Sequence, residues 1–375
     1  MMLVARNDTS VVGRWWWTVD RWTLGAVLVI MAVGVMLTMA ASPPAAERIG
    51  AESFHFVRRQ LVFLPVALLA LLAISMASPR MIRRLAMVTF AVSILALAAT
   101  YVVGPEIKGA RRWLSVPGFG TLQPSEFVKP SLAVITAWFF AERKANPRFP
   151  GYILAGAAAA LSVGLLIGQP DLGMTVVVVA VWAGQLFLAG MPMWVAGVGA
   201  VLAATGIATA YVMFSHVQSR FDRFLNPESG DDYQVRTALD AILNGGLFGR
   251  GPGEGTVKAQ LPDAHTDFVM AVAGEEMGLV ACLFVLSLFA FVVLRSLLRS
   301  MRESSLFIAL AAAGLTLQFG LQAAINMAST FKLMPAKGMT LPFISYGGSS
   351  AIAMALAVGM LLALTRERAG TGEAS

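Results

Sequence analysis

The sequence predicts an all-α integral membrane protein of about ten transmembrane helices, with a long extracytoplasmic loop between helices 7 and 8. Hydrophobic residues make up 57% of the 375 residues and charged residues only 13%, whereas soluble domains carry about 25% charged residues. The apolar residues fall in runs near the roughly 20 residues that cross a bilayer. The ten runs are 24–41, 61–77, 85–103, 127–141, 152–167, 173–189, 193–214, 268–294, 305–327 and 347–364.

The order of these runs predicts three regions: a cytoplasmic tail (1–21), a transmembrane domain (22–364) and a second cytoplasmic tail (365–375). The first run is longer than the roughly 7–15 apolar residues of a signal peptide, so we expect an uncleaved span. The links 168–172 and 190–192 are short enough to require tight helical hairpins.

The distribution of basic residues predicts that both termini are cytoplasmic. With the N-terminus inside, the inner segments hold 14 Lys and Arg residues and the outer loops 13, five of them in loop 215–266. Leaving that loop out gives 14 against 8, the bias expected for cytoplasmic segments. This topology places loop 215–266 outside, where 233–247 has the apolar spacing of a short amphipathic surface helix.

Composition also excludes several classes of site and partner. The chain has 28 Lys and Arg against 21 Asp and Glu, an excess that suits anionic membrane lipids. The basic residues are dispersed between apolar runs, which argues against a nucleic-acid partner. A single cysteine, Cys282, rules out an intramolecular disulfide, and only three scattered histidines accompany it, so no structural zinc site is expected.

The stretch from Gly249 to Asp267 is the first candidate site. Its alternating glycines match neither phosphate-binding glycine motif, and we expect a flexible hinge with no packed element before Pro262. Asp267 directly precedes the apolar residue Phe268, so its carboxylate should lie partly desolvated at the outer interface. That position suits a general base and equally suits a helix cap made by Thr266 or Asp267.

Other charged and polar residues recur near the predicted outer face. Glu126 and Lys129 are spaced to pair on one helical face, either as a structural ion pair or as ligands. The cluster Lys108, Arg111 and Arg112 could neutralise a pyrophosphate or be solvated loop charge. A polar stripe on span nine favours interhelical hydrogen bonds over a substrate path; it consists of Gln318, Gln322 and Asn326.

Four of these stretches together resemble the SEDS family of bacterial cell-wall polymerases. They are GARRWLSVPGFGTLQPSEFVKP (109–130), GQPDLG (168–173), NGGLFGRGPGEG with LPDAHTDFVMAVAGEE (244–276) and MPAKGMTLPFISYGGSS (334–350). They occur in the family's order and span most of the chain. The form KGMTLPFISYGGSS is more similar to the FtsW branch, which serves division, than to the RodA branch, which serves elongation.

The resemblance implies an inverting glycosyltransferase that polymerises lipid II at the outer face of the cytoplasmic membrane, at the division septum. It implies Asp267 as the catalytic residue and functional importance for Glu126 and Lys129. A divalent cation (Mg or Mn) could neutralise the leaving pyrophosphate. Expected partners are a class B penicillin-binding protein and other divisome membrane proteins. The candidate substrate-binding residues are Lys108, Arg111, Arg112, Glu126, Lys129, Lys258, His265, Lys337 and Ser345.

Two functions from other classes fit the same residues. A lipid II flippase would use the polar stripe and the buried charges as a translocation path. A non-catalytic scaffold would only activate a partner penicillin-binding protein. Formation of a glycan polymer by the purified protein distinguishes the enzyme from both.

Overall fold

The computed structural model describes residues 10–107, 109–116, 120–213, 218, 222, 233–335 and 338–367, and within these ranges it is almost entirely helical. The helices of the first half are α1 (Val11–Thr18), α2 (Arg21–Glu47), α3 (His55–Ser75), α4 (Pro79–Val103), α5 (Pro124–Ala145) and α6 (Gly151–Gly168). Those of the second half are α7 (Leu172–Leu188), α8 (Met193–Met213), α9 (Tyr233–Gly245), α10 (Val269–Ser300), α11 (Leu306–Thr330) and α12 (Gly348–Leu364).

Every predicted span falls on one of these helices, and the all-α membrane fold is confirmed. Seven of the described helices are long and apolar enough to cross a membrane: α2, α3, α4, α6, α8, α10 and α11. Helices α7 and α12 are apolar but shorter, and α5 carries charged residues at both ends. A membrane crossing by these last three stays a prediction.

Helices α11 and α12 form the centre of the bundle. In α12 every residue from Ser349 to Leu364 except Ile352 is buried. Two buried apolar clusters share these helices: one packs them against α4, α5 and α7, and the other packs them against α2, α3 and α10. Helices α3 and α4 bury only narrow faces, as expected for helices that contact lipid. The central pair therefore supports the end of the bundle where the candidate residues lie.

The segment between α4 and α5 contains the described sheet. Strand β1 (Leu114–Val116) pairs antiparallel with β2 (Gly120–Leu122). The sequence predicted only an outer loop here. The hairpin leads directly into Pro124, the first residue of α5, and so fixes where the first turn of that helix begins.

Helix α10 is broken at Gly278, where φ is 81° and ψ is 179°. A break inside a membrane frees peptide groups that cost several kcal/mol if they stay unpaired. The loop 246–251 pairs with them on both sides of the break. The N–H groups of Arg250 and Gly251 donate to the backbone carbonyl oxygens of Glu275 and Glu276 at 2.9 and 3.0 Å. On the other side of the break, the N–H groups of Leu279 and Val280 donate to the carbonyl oxygens of Gly246 and Leu247 at 3.0 and 3.2 Å.

The prediction of a flexible hinge before Pro262 is therefore wrong. A 3₁₀ helix, Val257–Gln260, forms inside the glycine-rich loop. The buried carboxylate of Glu275 accepts the backbone N–H groups of Thr256, Val257 and Lys258 at 2.9, 2.8 and 2.7 Å. A carboxylate is the favoured partner for these unpaired N-terminal amides. The glycine loop is consequently a packed brace between α9 and α10.

Helix α9 confirms the helix predicted near 233–247. It packs against α10 through buried Ala238, Ala241 and Ile242. Its last residue, Gly245, lies so close to α10 that an added Cβ would be 1.9 Å from the carbonyl oxygen of Gly274. The glycine thus allows two backbones to touch where the loop turns back.

The two ends of the described chain lie together. The N–H of Glu367 donates to the carbonyl oxygen of Thr18 at 3.0 Å, and Asp20 pairs with Arg295 and Arg299 near the C-terminal end of α10. Asp267 precedes the opposite end of α10. Both ends of the described chain thus share one side of the bundle, and the assignment of that side to the cytoplasm stays a prediction.

Candidate active site

Asp267 lies in a turn between the 3₁₀ helix and α10. The N–H groups of Thr266, Asp267 and Phe268 donate to the carbonyl oxygen of Asp263 at 3.1, 3.0 and 3.3 Å. The N-cap position of α10 is Phe268, whose side chain makes no capping hydrogen bond. Neither Thr266 nor Asp267 therefore occupies the N-cap position. Asp267 is half-buried, as predicted for a carboxylate at the membrane interface.

Two other elements enclose the Asp267 turn. A Cβ added to Gly338 would lie 3.3 Å from Oδ2 of Asp267, and Gly338 has a φ of +61°. From α11, the Nδ2 of Asn326 donates to the carbonyl oxygen of Asp267 at 2.9 Å and to that of Met339 at 2.6 Å. The absence of a side chain at Gly338 lets its backbone approach the carboxylate.

A cavity of about 780 Å³ opens over this carboxylate, within the range of about 300–1,000 Å³ typical of ligand sites. Its wall combines the hairpin and the start of α5 with the Asp267 turn and the segment before α12. Of the predicted site residues that the structure describes, three line it: Arg112, Glu126 and Asp267. The structure thus brings together groups that are about 140 residues apart in the chain.

Glu126 and Lys129 form the ion pair that their spacing predicts, 2.7 Å apart, with side chains 3% and 1% exposed. Glu126 lines the cavity, while Lys129 lies behind it and donates to Oε1 of Gln322 at 2.6 Å. The amide of Gln322 donates in turn to the carbonyl oxygen of Thr340 at 3.1 Å. The pair therefore links α5 to α11 and to the segment before α12.

Arg112 is held at the cavity wall by the turn between α6 and α7. Its guanidinium donates to the carbonyl oxygens of Gln169 and Pro170 at 3.1 and 2.6 Å and lies 3.9 Å from the Asp171 carboxylate. The neighbouring Trp113 also lines the cavity. These contacts hold the positively charged guanidinium of Arg112 beside the cavity, as binding of a pyrophosphate would require.

Arg111 and Lys258, two further basic residues of the predicted set, lie away from the cavity. Arg111 is half exposed, contacts Glu106 and the carbonyl oxygen of Tyr101, and does not line the cavity. Lys258 is buried in an ion pair with Glu276 and donates to the carbonyl oxygen of Ala40 at 2.9 Å. Lys108 and Lys337 lie outside the described residues.

His265 and Ser345 fasten the Asp267 turn to the segment before α12. The ring of His265 stacks on Phe56 with centroids 4.0 Å apart, and its carbonyl oxygen accepts the N–H of Tyr346 at 2.9 Å. The Ser345 hydroxyl donates to the carbonyl oxygen of Thr266. These contacts support the turn, although neither residue lines the cavity.

The polar stripe on α11 divides into two parts. Gln322 makes the interhelical hydrogen bond that the sequence favoured, by accepting from Lys129 on α5, whereas Asn326 donates to the Asp267 turn and to the segment before α12. Gln318 is fully buried, and neither polar atom of its amide has a hydrogen-bond partner in the described chain. Of the three residues, only Gln322 and Asn326 therefore contact the segments that form the site.

Several cavity residues were not predicted as site residues. Gln123, Thr340 and Ser350 line the cavity, and the hydroxyls of Thr340 and Ser350 lie 2.7 Å apart. Thr340 and Ser350 fall inside the quoted stretch 334–350, but as single hydroxyls they carry no spacing signal. Asp171, in GQPDLG, caps α7 and approaches Arg112.

The described residues contain no group of three or more His, Cys, Asp or Glu side chains placed to hold a metal ion. Asp263, Asp267 and Glu126 all line the cavity, the two aspartates from one turn and Glu126 from the first turn of α5. A hard cation such as Mg²⁺ would therefore need oxygens from a bound substrate in addition to one of these carboxylates.

Comparison with solved structures supports this architecture. One chain, from a structure described as "Structural coordination of polymerization and crosslinking by a peptidoglycan synthase complex", superposes with a TM-score of 0.76 at 29% identity, covering 92% of this chain and 97% of the other. The rod shape determining protein RodA of Thermus thermophilus superposes with a TM-score of 0.67 at 28% identity, covering 93% and 97%.

Comparison with known sequences identifies the family. A relative from Caulobacter vibrioides, named probable peptidoglycan glycosyltransferase FtsW, is 46% identical over 99% of this chain and 95% of its own length. A relative of the same name from Coxiella burnetii is 34% identical over 94% and 97%. The family profile described as "Cell cycle protein" matches residues 21–370. The chain therefore belongs to the FtsW/RodA/SpoVE family of cell cycle proteins.

Proposed function

We propose that this chain is a peptidoglycan glycosyltransferase that polymerises lipid II into glycan strands, at the outer face of the cytoplasmic membrane and for septal wall synthesis. Its relatives at 46% and 34% identity over nearly the whole chain are named for that activity. The observation that carries the proposal is the half-buried Asp267 carboxylate in a large cavity at the end of a membrane helix.

The reaction asks little of the protein beyond a base and charge stabilisation. The acceptor hydroxyl attacks the anomeric carbon of the donor and its proton passes to Asp267. A carbon–oxygen bond forms with inversion while the bond to the lipid pyrophosphate breaks. Pyrophosphate leaves as an anion and needs no general acid, so one carboxylate is enough.

The negative charge on the leaving pyrophosphate needs fixed positive charge nearby. Arg112 meets this need because two backbone carbonyls hold its guanidinium at the cavity wall. Lys129 lies behind Glu126 and is already paired, so we assign it to holding Glu126 and Gln322 in place. The lipid tails of the substrates would lie in the bilayer beside the bundle, which explains a site at the membrane interface.

A divalent cation, Mg²⁺ or Mn²⁺, is part of the proposal. It would supply further positive charge to the pyrophosphate. Of the described carboxylates at the cavity, Asp263 and Asp267 belong to one turn and could contribute a ligand. Because no cluster of three ligands exists in the described chain, we expect binding to depend on the substrate.

We further propose a class B penicillin-binding protein as the partner that crosslinks the new strands, together with other divisome proteins. The similar chain of known structure belongs to a peptidoglycan synthase complex that coordinates polymerization and crosslinking. In this proposal, the penicillin-binding protein supplies the crosslinking activity beside this chain.

The decisive experiment is polymerisation of lipid II by the purified protein in liposomes without any partner. Glycan polymer that lysozyme digests is the expected product. Absence of polymer under conditions in which a known polymerase works would leave the flippase or the scaffold. A flippase would then move labelled lipid II across the same liposomes, and a scaffold would do so no faster than empty liposomes.

Sidedness has its own test. In a Cys282→Ala background, single cysteines replace exposed residues at opposite ends of α10: Glu254 in the glycine loop and Ser304 after the helix. An impermeant thiol reagent applied to intact cells should label only position 254. Labelling at 304 alone would place the Asp267 turn in the cytoplasm and overturn the outer-face site.

A further inference from the structure

The side chain of Asn326 joins the two segments that enclose the Asp267 carboxylate. It projects from α11, is 2% exposed, and donates from Nδ2 to the carbonyl oxygens of Asp267 and Met339. We propose that Asn326 is a positioning residue for the glycosyl transfer: it holds the backbone of Asp267 at a fixed position relative to the segment 338–339. This inference rests on the proposed function.

The hydrogen-bond chemistry fixes the orientation of this amide. Both partners of Asn326 are carbonyl oxygens, which only accept. The atom facing them must therefore be the NH₂ group, and its two N–H bonds match the two carbonyls. An aspartate or a leucine at this position could not make both bonds.

The two tethered segments contribute directly to the candidate base. One carries Asp267 itself, and the other carries Gly338, whose backbone lies close to Oδ2 of Asp267. Backbone shifts of about 1 Å can cost about 100-fold in rate. If the tether is cut, the carboxylate and its neighbouring backbone can move independently, so proton transfer should suffer more than substrate binding.

The remaining atom of the amide indicates that Asn326 is not there to stabilise the bundle. Its Oδ1 is buried and has no hydrogen-bond partner in the described chain. An unpaired buried acceptor is unfavourable for folding, and leucine, of similar size, would remove it. Leucine removes this acceptor together with both bonds to the active segments, but it leaves the carbonyl oxygens of Asp267 and Met339 without that donor, so the folded fraction has to be measured beside the activity.

The test compares Asn326→Leu with Gln318→Leu. Gln318 lies eight residues earlier on α11, is equally buried, and has an amide without hydrogen-bond partners in the described chain. With lipid II, Asn326→Leu should lower kcat about 10- to 100-fold with KM within about threefold of wild type. Gln318→Leu should leave both constants near wild type. Melting temperature and size-exclusion profile report the folded fraction of each protein.

Hydrogen exchange supplies a readout that does not depend on activity. In Asn326→Leu, peptides covering 262–268 and 338–346 should exchange faster than in wild type, and α12 should not. Three results would each contradict the positioning role of Asn326. They are a kcat of Asn326→Leu within about twofold of wild type, equal losses of kcat in both variants, and unchanged exchange in both segments. If wild-type protein makes no polymer, the proposed function fails, and the exchange result still decides whether Asn326 joins the two segments.

Discussion

The Nζ of Lys129 lies 2.7 Å from Oε2 of Glu126, and neither side chain exposes more than 3% of its surface. Lys129 also donates to Gln322, so the cation has two acceptors inside the bundle. Removing one member of a buried pair leaves an uncompensated charge and costs about 3–5 kcal/mol, whereas replacing both members can be nearly neutral.

The first prediction follows from this pair. Glu126→Gln and Lys129→Met should each lower the melting temperature and the folded yield more than the double variant does. Lys129→Met should be the worse, because it leaves the Glu126 carboxylate charged and buried. Thermal unfolding in detergent measures all three proteins. A double variant no more stable than the worse single variant would indicate separate chemical roles for the two residues.

An exposed pair provides the matched control. Arg58 and Glu52 form an ion pair with side chains 72% and 69% exposed. Exposed pairs contribute about 0–1 kcal/mol, so Glu52→Gln, Arg58→Met and their double variant should all unfold close to wild type. The contrast separates burial of the pair from the loss of charge itself.

Asp267→Asn should reduce polymerisation by at least about 100-fold, because an amide cannot accept the proton of the acceptor hydroxyl. Folding should be unaffected, since the turn is held by backbone bonds to Asp263. Initial rates with lipid II and melting temperature measure the two effects. Glu254→Gln, an exposed carboxylate of the glycine loop, is the control and should retain activity. Near-normal synthesis by Asp267→Asn would remove it as the base.

The glycine brace gives a prediction with an internal control. Gly249 and Gly253 have φ values of +83° and +84°, so alanine at either should cost about 1–2 kcal/mol in backbone strain. A Cβ at Gly249 would also lie 2.1 Å from the carbonyl oxygen of Glu276, whereas Gly253 has open space. Gly249→Ala should therefore lose about 1–3 kcal/mol more. Equal melting temperatures would mean that the loop does not pack on α10 as described.

Sequence patterns predicted the helices better than the loops. Apolar runs place the spans because burial in lipid demands them, and the spacing of Glu126 and Lys129 predicts their pairing. The brace escaped prediction because alternating glycines are typical of flexible loops. Its order comes from Glu275 and the break at Gly278, which lie on a helix some 20 residues further along the chain.

The candidate site shows the same division. Asp267 was predicted because a carboxylate next to an apolar run is costly and the surrounding motif is distinctive. Lys258 and His265 lie in the same motif, but the structure places them in supporting contacts outside the cavity. The motif around Asp267 identified the segment that contains the site. It did not identify which side chains line the cavity, because that depends on how α5, α11 and the turn before α10 pack together.

The buried Asp20 at the other end of the bundle predicts a pH dependence. Burial raises its pKa, but hydrogen bonds from Arg295 and Thr23 and the charge of Arg299 outweigh this effect, so its pKa lies below the ordinary 3.8. A carboxyl with a lowered folded-state pKa stabilises the fold above its unfolded pKa. That contribution is lost as the pH falls through the folded value.

Asp20→Asn should accordingly lower stability by about 1.5–3 kcal/mol near pH 7, the range for hydrogen bonds to charged groups. The difference in stability between wild type and variant should stay constant down to about pH 4 and become smaller below the ordinary pKa of 3.8. Melting temperatures measured across this range test the sign. A gap that widens on acidification would contradict the lowered pKa.

Removal of divalent cations tests the last part of the proposed chemistry. The described residues include no cluster of three metal-binding side chains, and the substrate pyrophosphate carries the oxygens that Mg²⁺ prefers. Chelation should therefore suppress polymerisation, and Mg²⁺ or Mn²⁺ should restore it. Calorimetry should show weak cation binding without lipid II and tighter binding with an unreactive lipid pyrophosphate. Full activity after thorough chelation would exclude the cation and leave neutralisation of the leaving group to Arg112, which the carbonyl oxygens of Gln169 and Pro170 already hold at the cavity wall.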